Sequence, residues 1–146
     1  MEVWELLIRE SVRDTIARYN NSGDRLRLAD LAGCFTPDGV MEITGREPFI
    51  GRGGIAGALT VTLGEPGVPT NTERRFAHHH VASTHFMSVT RERVETASYF
   101  AVHTPIGLDH WGRYRDTLVP SGGNWLFERR KVTTDGFAPG SLFARE

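Results

Sequence analysis

Four segments in the second half of the chain read as strands: Arg75 to Val89, Val94 to Thr104, His110 to Val119 and Trp125 to Thr133. Only Thr90 to Arg93, Pro105 to Asp109 and Ser121 to Asn124 separate them. A parallel neighbour needs a crossover of a dozen or more residues, so links this short fold the chain back on itself. The expectation is an antiparallel meander.

The first half has the helical period instead. Trp4, Ile8, Val12, Ile16 and Tyr19 recur at spacings of four or three, one face of a helix that Asn20 to Gly23 is expected to end. Leu28, Leu31, Ala32 and Phe35 repeat the stripe in a second helix from about Arg25 to Phe35, stopped by the turn residues Pro37-Asp38-Gly39. Asp24 is thereby placed at the junction of two helices. Val40 to Thr44 reads as a short strand, Phe49-Ile50 as a brief extension, Gly54 to Leu63 as a third helix and Gly64 to Thr72 as a loop. Helices followed by a meander imply one α+β domain over residues 1–146, a curved sheet wrapped over helices so as to enclose a pocket.

Charge and composition exclude several function classes. Lys+Arg 17 against Asp+Glu 18, spread along the chain, supplies no basic stripe for phosphates, so no nucleic-acid partner is expected. The single cysteine, Cys34, allows no internal disulfide and falls in an apolar pattern that suits a buried thiol. The opening MEVWELLIRESVRD mixes acids into its apolar residues, unlike a signal peptide, and no later window suits a bilayer span. A cytoplasmic protein with no membrane partner is expected. Gly51-Arg52-Gly53-Gly54 lacks the spacing of a nucleotide loop, and six histidines show no paired zinc spacing, so neither a cofactor nor a metal is expected.

The chemistry worth testing lies in Tyr19, Asp24 and the run His78-His79-His80. A hydroxyl, a carboxylate and an imidazole are side chains that transfer protons at neutral pH. Successive strand residues face opposite ways, so His79 must oppose His78 and His80. His103 and His110 flank a turn and read as rim residues, with His110 within reach of a pocket.

Several segments, taken in order, resemble one family. They are Ile16-Ala17-Arg18-Tyr19 leading to Asp24, Leu31 to Val40, Gly51-Arg52, the histidine strand, Gly112-Arg113-Tyr114-Arg115-Asp116 and Trp125-Leu126-Phe127-Glu128-Arg129-Arg130. Their order and spacing resemble the SnoaL-like branch of the nuclear-transport-factor-two-like superfamily, with scytalone dehydratase, bile-acid dehydratase and ketosteroid isomerase. The resemblance implies a cone-shaped, antiparallel-rich sheet packed on three N-terminal helices, often in a homodimer, holding one small, largely apolar ligand. It implies a cofactor-independent lyase or isomerase acting on a cyclic ketone, polyketide or terpenoid-like compound, or a non-catalytic binding protein or assembly subunit of the same fold.

By that resemblance Tyr19, Asp24 and a strand histidine form the catalytic group, with Phe35, Met41, His79, His110, Trp111 and Tyr114 around the substrate. The family's histidine is followed at three and four residues by small polar side chains. Ser83 and Thr84 stand so after His80, which selects His80, on the face of Ala82, Thr84 and Phe86; a bulge transfers the role to His79. Trp111 occupies the position of a second histidine in scytalone dehydratase, and a tryptophan cannot replace an acid.

Overall fold

The computed structural model describes residues 1–63 and 76–144. The long amphipathic stripe forms α1 (Val3–Asp24), which continues through the polar Asn20 to Gly23 and ends only where Leu26 turns back with φ +55. Asp24 is therefore the last residue of α1 and caps nothing. The second helix, α2, is a short Leu28–Ala32, because the chain from Phe35 is already extended.

Strand β1 (Phe35–Ile43) runs straight through Pro37-Asp38-Gly39, the expected turn. Those residues form an irregularity in the pairing with the last strand, and a Cβ on Gly39 would stand 3.0 Å from the Phe127 carbonyl oxygen and from the Phe35 side chain. Glycine lets the bulge close. β2 (Phe49–Ile50) and α3 (Gly51–Leu63) follow. The meander is β3 (His78–Val89), β4 (Val94–Thr104), β5 (Gly107–Ser121) and β6 (Asn124–Phe137); the Gly64 to Thr72 loop expectation lies outside the described residues.

Six strands form one mixed sheet in the order β2-β1-β6-β5-β4-β3. The β1–β6 pair is parallel and every other pair antiparallel, so the fold is α+β with a largely antiparallel sheet carrying three helices. The inner face of the sheet and the stripe of α1 supply the core: Ile8, Val12, Ile16 and Tyr19 meet Phe100, Val102, Tyr114 and Phe127. Thr15 Oγ1 donates to the Trp125 carbonyl at 2.5 Å and fixes α1 across the sheet. Among the described residues no helix is long and apolar enough to cross a membrane.

A fully buried ion pair lies at the floor of this core. Arg130 donates from Nε to Asp116 Oδ1 at 2.8 Å and from Nη2 to Oδ2 at 3.1 Å. Its guanidinium also lies 3.7 Å from the ring centre of Tyr114, 4.2 Å from Tyr19 and 4.4 Å from Phe127. Burial works against the charge on Arg130, but Asp116 beside it more than offsets that and holds the guanidinium cationic.

Candidate active site

The three consecutive histidines part as alternation demands. Which one turns inward is decided four residues later. Ala82 pairs with Tyr99 and His85 with Ala97, so β3 carries one residue more than β4 across this step, and Ser83 takes φ +52. That bulge slips the phase: His79 and Val81 face inward before it, Thr84 and Phe86 after it. Reading back from Thr84 and Phe86 without the slip selects His80, and the structure corrects this. His80 is exposed on the outer face, its ring edge-on to His103 at 4.9 Å.

His79 meets Asp24. Its Nδ1 lies 2.5 Å from Asp24 Oδ1, and its backbone N–H donates to Oδ2 at 3.0 Å. The second bond exists because β3 is the edge strand of the described sheet, leaving that N–H unclaimed by a neighbour. One carboxylate thus holds ring and backbone together. With Asp24 ionised, Nδ1 carries the proton and Nε2 keeps its lone pair. The pair is mostly covered, at 23% and 16% side-chain exposure, which shelters it from bulk water while leaving it reachable.

A second histidine shares this face. His79 and His110 both lie opposite Val102, so the three stand in one row across β3, β4 and β5, the histidine backbones about two strand spacings, or ~10 Å, apart. Val102 to His103 on β4 spans His110 to Leu108 on β5, which makes Asp109 an extra residue, a second bulge. Asp109 and His110 consequently both turn in. Asp109 Oδ1 lies 2.8 Å from His110 Nδ1, a second imidazole–carboxylate pair. Burial lowers the His110 pKa below its ordinary value, against the pull of Asp109, and His79 lowers it further. Four donors hold the Asp109 carboxyl below its usual range, though burial alone would raise it.

Phe100 joins the parts, 6.4 Å from the His79 ring, 6.2 Å from His110 and stacked on Tyr114 at 4.7 Å. It fits because position 112 is glycine: a Cβ there would lie 2.0 Å from the Thr133 carbonyl oxygen and 2.8 Å from Phe100. Tyr114 donates to Asn20 Oδ1 at 3.3 Å, and burial raises its pKa, with Asp24 among the charges that add to the shift. It remains a neutral donor at any physiological pH. Tyr19 is buried beside it, its ring edge-on to Phe35, Tyr114 and Phe127 and its pKa likewise raised by burial.

Phe35 and Met41 belong to the buried core beneath the histidines. Trp111, expected at the substrate, is on the outer face: it pairs with Ala101, which pairs with His80, and its ring covers Gly136. His110, one residue back, is the inward histidine. Asp109 and Asn20 escaped the sequence reading, the first inside an assumed turn, the second in an assumed helix stop. The slip between Val81 and Phe86, five residues apart yet on one face, is the signal for the inward histidine. Among the described residues no group of three His, Cys, Asp or Glu side chains could hold a metal ion.

The SnoaL-like domain family matches residues 4–131. The chain belongs to this family. A protein from Catenulispora acidiphila shares the fold with a TM-score of 0.78 and 26% identity, over 92% of this chain and 96% of that one. A Catenulispora acidiphila structure in complex with S-DNPA superposes with a TM-score of 0.75 at 25% identity, over 89% and 95% of the two chains. A chain described as the beta subunit of an aromatic-ring-hydroxylating dioxygenase from Novosphingobium aromaticivorans has the same fold, with a TM-score of 0.70 and 19% identity over 98% of each chain. No curated protein matches the sequence. The same fold thus occurs in a chain solved with S-DNPA bound and in a chain described as a dioxygenase beta subunit.

Proposed function

We propose that this SnoaL-like protein is a cofactor-independent lyase or isomerase of a small, largely apolar cyclic ketone, polyketide or terpenoid-like compound, with His79 as general base. The observation that carries the reading is the two-point hold of Asp24 on His79. The carboxylate fixes the tautomer, so Nε2 can take a proton from the carbon beside a substrate carbonyl while the electron pair moves to the carbonyl oxygen. Tyr114, its one O–H turning from Asn20 Oδ1 to the substrate, or Tyr19 beside it, donates a hydrogen bond to that oxygen as charge develops. The imidazolium then returns the proton to another carbon, as an isomerase does, or gives it to a departing hydroxyl, as a dehydratase does. Asp24 stabilises the imidazolium in either case. The Catenulispora complex supports a small organic molecule as the ligand class.

The test is deuterium exchange at enolisable positions across a panel of cyclic ketones, followed by NMR. His79→Ala and Asp24→Asn are expected to slow exchange by about 10²-fold or more, and His80→Ala to leave it unchanged. Exchange that survives His79→Ala at the wild-type rate sinks the reading.

The assembly alternative is favoured by a different surface. Tyr99 and Trp111 stay exposed on the outer face close to His80, at 60% and 37%. Apolar groups clustered on a sheet face suit burial against a partner, a second copy included. Light scattering of the wild type and Tyr99→Lys checks it: an assembly that Tyr99→Lys dissociates supports a role for this face, and a monomeric wild type removes self-association.

A further inference from the structure

The segment after β6 is wound around one side chain. Asp109, wholly buried, accepts from Ser141 Oγ at 2.5 Å and the Leu142 N–H at 2.9 Å, besides Thr104 Oγ1 at 3.0 Å and its bond to His110. Its carbonyl accepts from the Ala138 N–H at 2.7 Å. Ser141 Oγ in turn accepts from the N–H groups of Phe143 and Ala144, both at 3.1 Å. The segment delivers an aromatic ring to the site: Phe143 lies 5.0 Å from the His110 ring, beside Phe137 at 5.7 Å. One carboxylate oxygen is therefore shared between the hydroxyl that closes the C-terminal segment and the ring nitrogen that orients His110.

We propose that Asp109 is a positioning residue that couples docking of the C-terminal segment, residues 138–144, to presentation of His110 as the second proton-transfer group on the inner face of the sheet. The inference rests on the proton-transfer reading above. Docking covers His110 with Phe143 and locks Nδ1–H onto Asp109, which leaves Nε2 as the free lone pair. Undocking rehydrates the ring and frees its tautomer. The charged and titratable groups facing His110 among the described residues are Asp109 and, from β3, His79 with Asp24 of α1 behind it; β4 presents Phe100 and Val102, and the C-terminal segment Ser141 and Phe143.

Histidine-selective 15N NMR on the full chain tests this without a substrate, the His110 signal being assigned by its loss in His110→Gln. In the wild type His110 is expected as the Nδ1–H tautomer, with a midpoint below the ordinary histidine value of about 6.5. Phe143→Ala exposes the ring and raises the midpoint. Asp109→Asn removes the carboxylate, lowers the midpoint further and scrambles the tautomer. The opposite signs separate loss of cover from loss of the carboxylate. Ser141→Ala, which leaves both the carboxylate and Phe143 in place, is expected to move the midpoint with Phe143→Ala and keeps the test open should Asp109→Asn fail to fold. An unchanged tautomer and midpoint in both Phe143→Ala and Ser141→Ala overturns the coupling and leaves the Asp24–His79 reading standing. A ketone panel without exchange, alongside the expected NMR shifts, overturns the proton-transfer reading and leaves the coupling standing.

Discussion

Two acid–base pairs on the inner face are built to opposite specifications. Asp116 and Arg130 are both wholly buried, bidentate and roofed by aromatic rings. Asp24 and His79 keep a fifth or so of their side chains exposed and join the end of a helix to the edge of a sheet. A buried pair whose charges never change is a fixed part of the scaffold, and breaking it strands the other charge. A partly covered pair containing an imidazole keeps a ring nitrogen within reach of a ligand. The first should therefore be read in stability and the second in chemistry.

The largest effect expected is on activity. His79→Ala should lower ketone exchange by about 10² to 10⁴-fold, the usual scale of general-base catalysis, while the denaturant midpoint moves little. Stability falling as far as exchange would erase the contrast between the pairs. Asp116→Ala should do the reverse, costing about 3–5 kcal/mol in urea unfolding by leaving the Arg130 charge buried and unpaired. Gly112→Ala should cost about 1–3 kcal/mol, because its new methyl meets the Thr133 carbonyl and the ring of Phe100. This variant sits between the regions: it should also disturb Phe100 and reduce exchange beyond what its stability loss explains. Ser83→Gly should be the mildest, unchanged or more stable by a few tenths of a kcal/mol, since glycine adopts φ +52 without strain.

Acid sharpens the comparison further. The pKa of His110 is lower folded than unfolded, so the unfolded chain binds the extra proton first. The stability that the neutral ring contributes is whole above about pH 6.5 and is lost as pH falls toward the folded value. Asp109 is also lowered, so its contribution is present above about pH 4 and lost as pH falls through its folded value. Thermal unfolding followed from pH 8 to pH 3 should show both losses, the second reduced in Ser141→Ala.

Much of this fold is legible in the sequence because turn chemistry and periodicity are local signals. Val94 to Thr104 forms a strand with those same limits, and the third helix differs only by starting at Gly51. The errors share a cause. Asn20 to Gly23 and Pro37-Asp38-Gly39 look like stops, yet tertiary packing carries a helix through one and a bulged strand through the other. The site was legible as a set of residue types and not as a set of directions. Alternation identifies two faces of β3, but naming the inner one requires every bulge, and Ser83 and Asp109 are not glycines that would advertise them. Without that count, Ser83 and Thr84 point to His80 as the base, and Trp111 reads as a ligand contact beside His79 and His110.

The bond from the His79 backbone N–H to Asp24 has a consequence outside chemistry. β3 borders the described sheet, and an edge strand's unclaimed N–H groups are where a foreign strand begins to add itself. Asp24 occupies one such group and places a negative charge there. An Asp24→Ala chain would lose this guard as well as its histidine partner, so the residue that tunes the base also helps keep one molecule from templating the misassembly of the next.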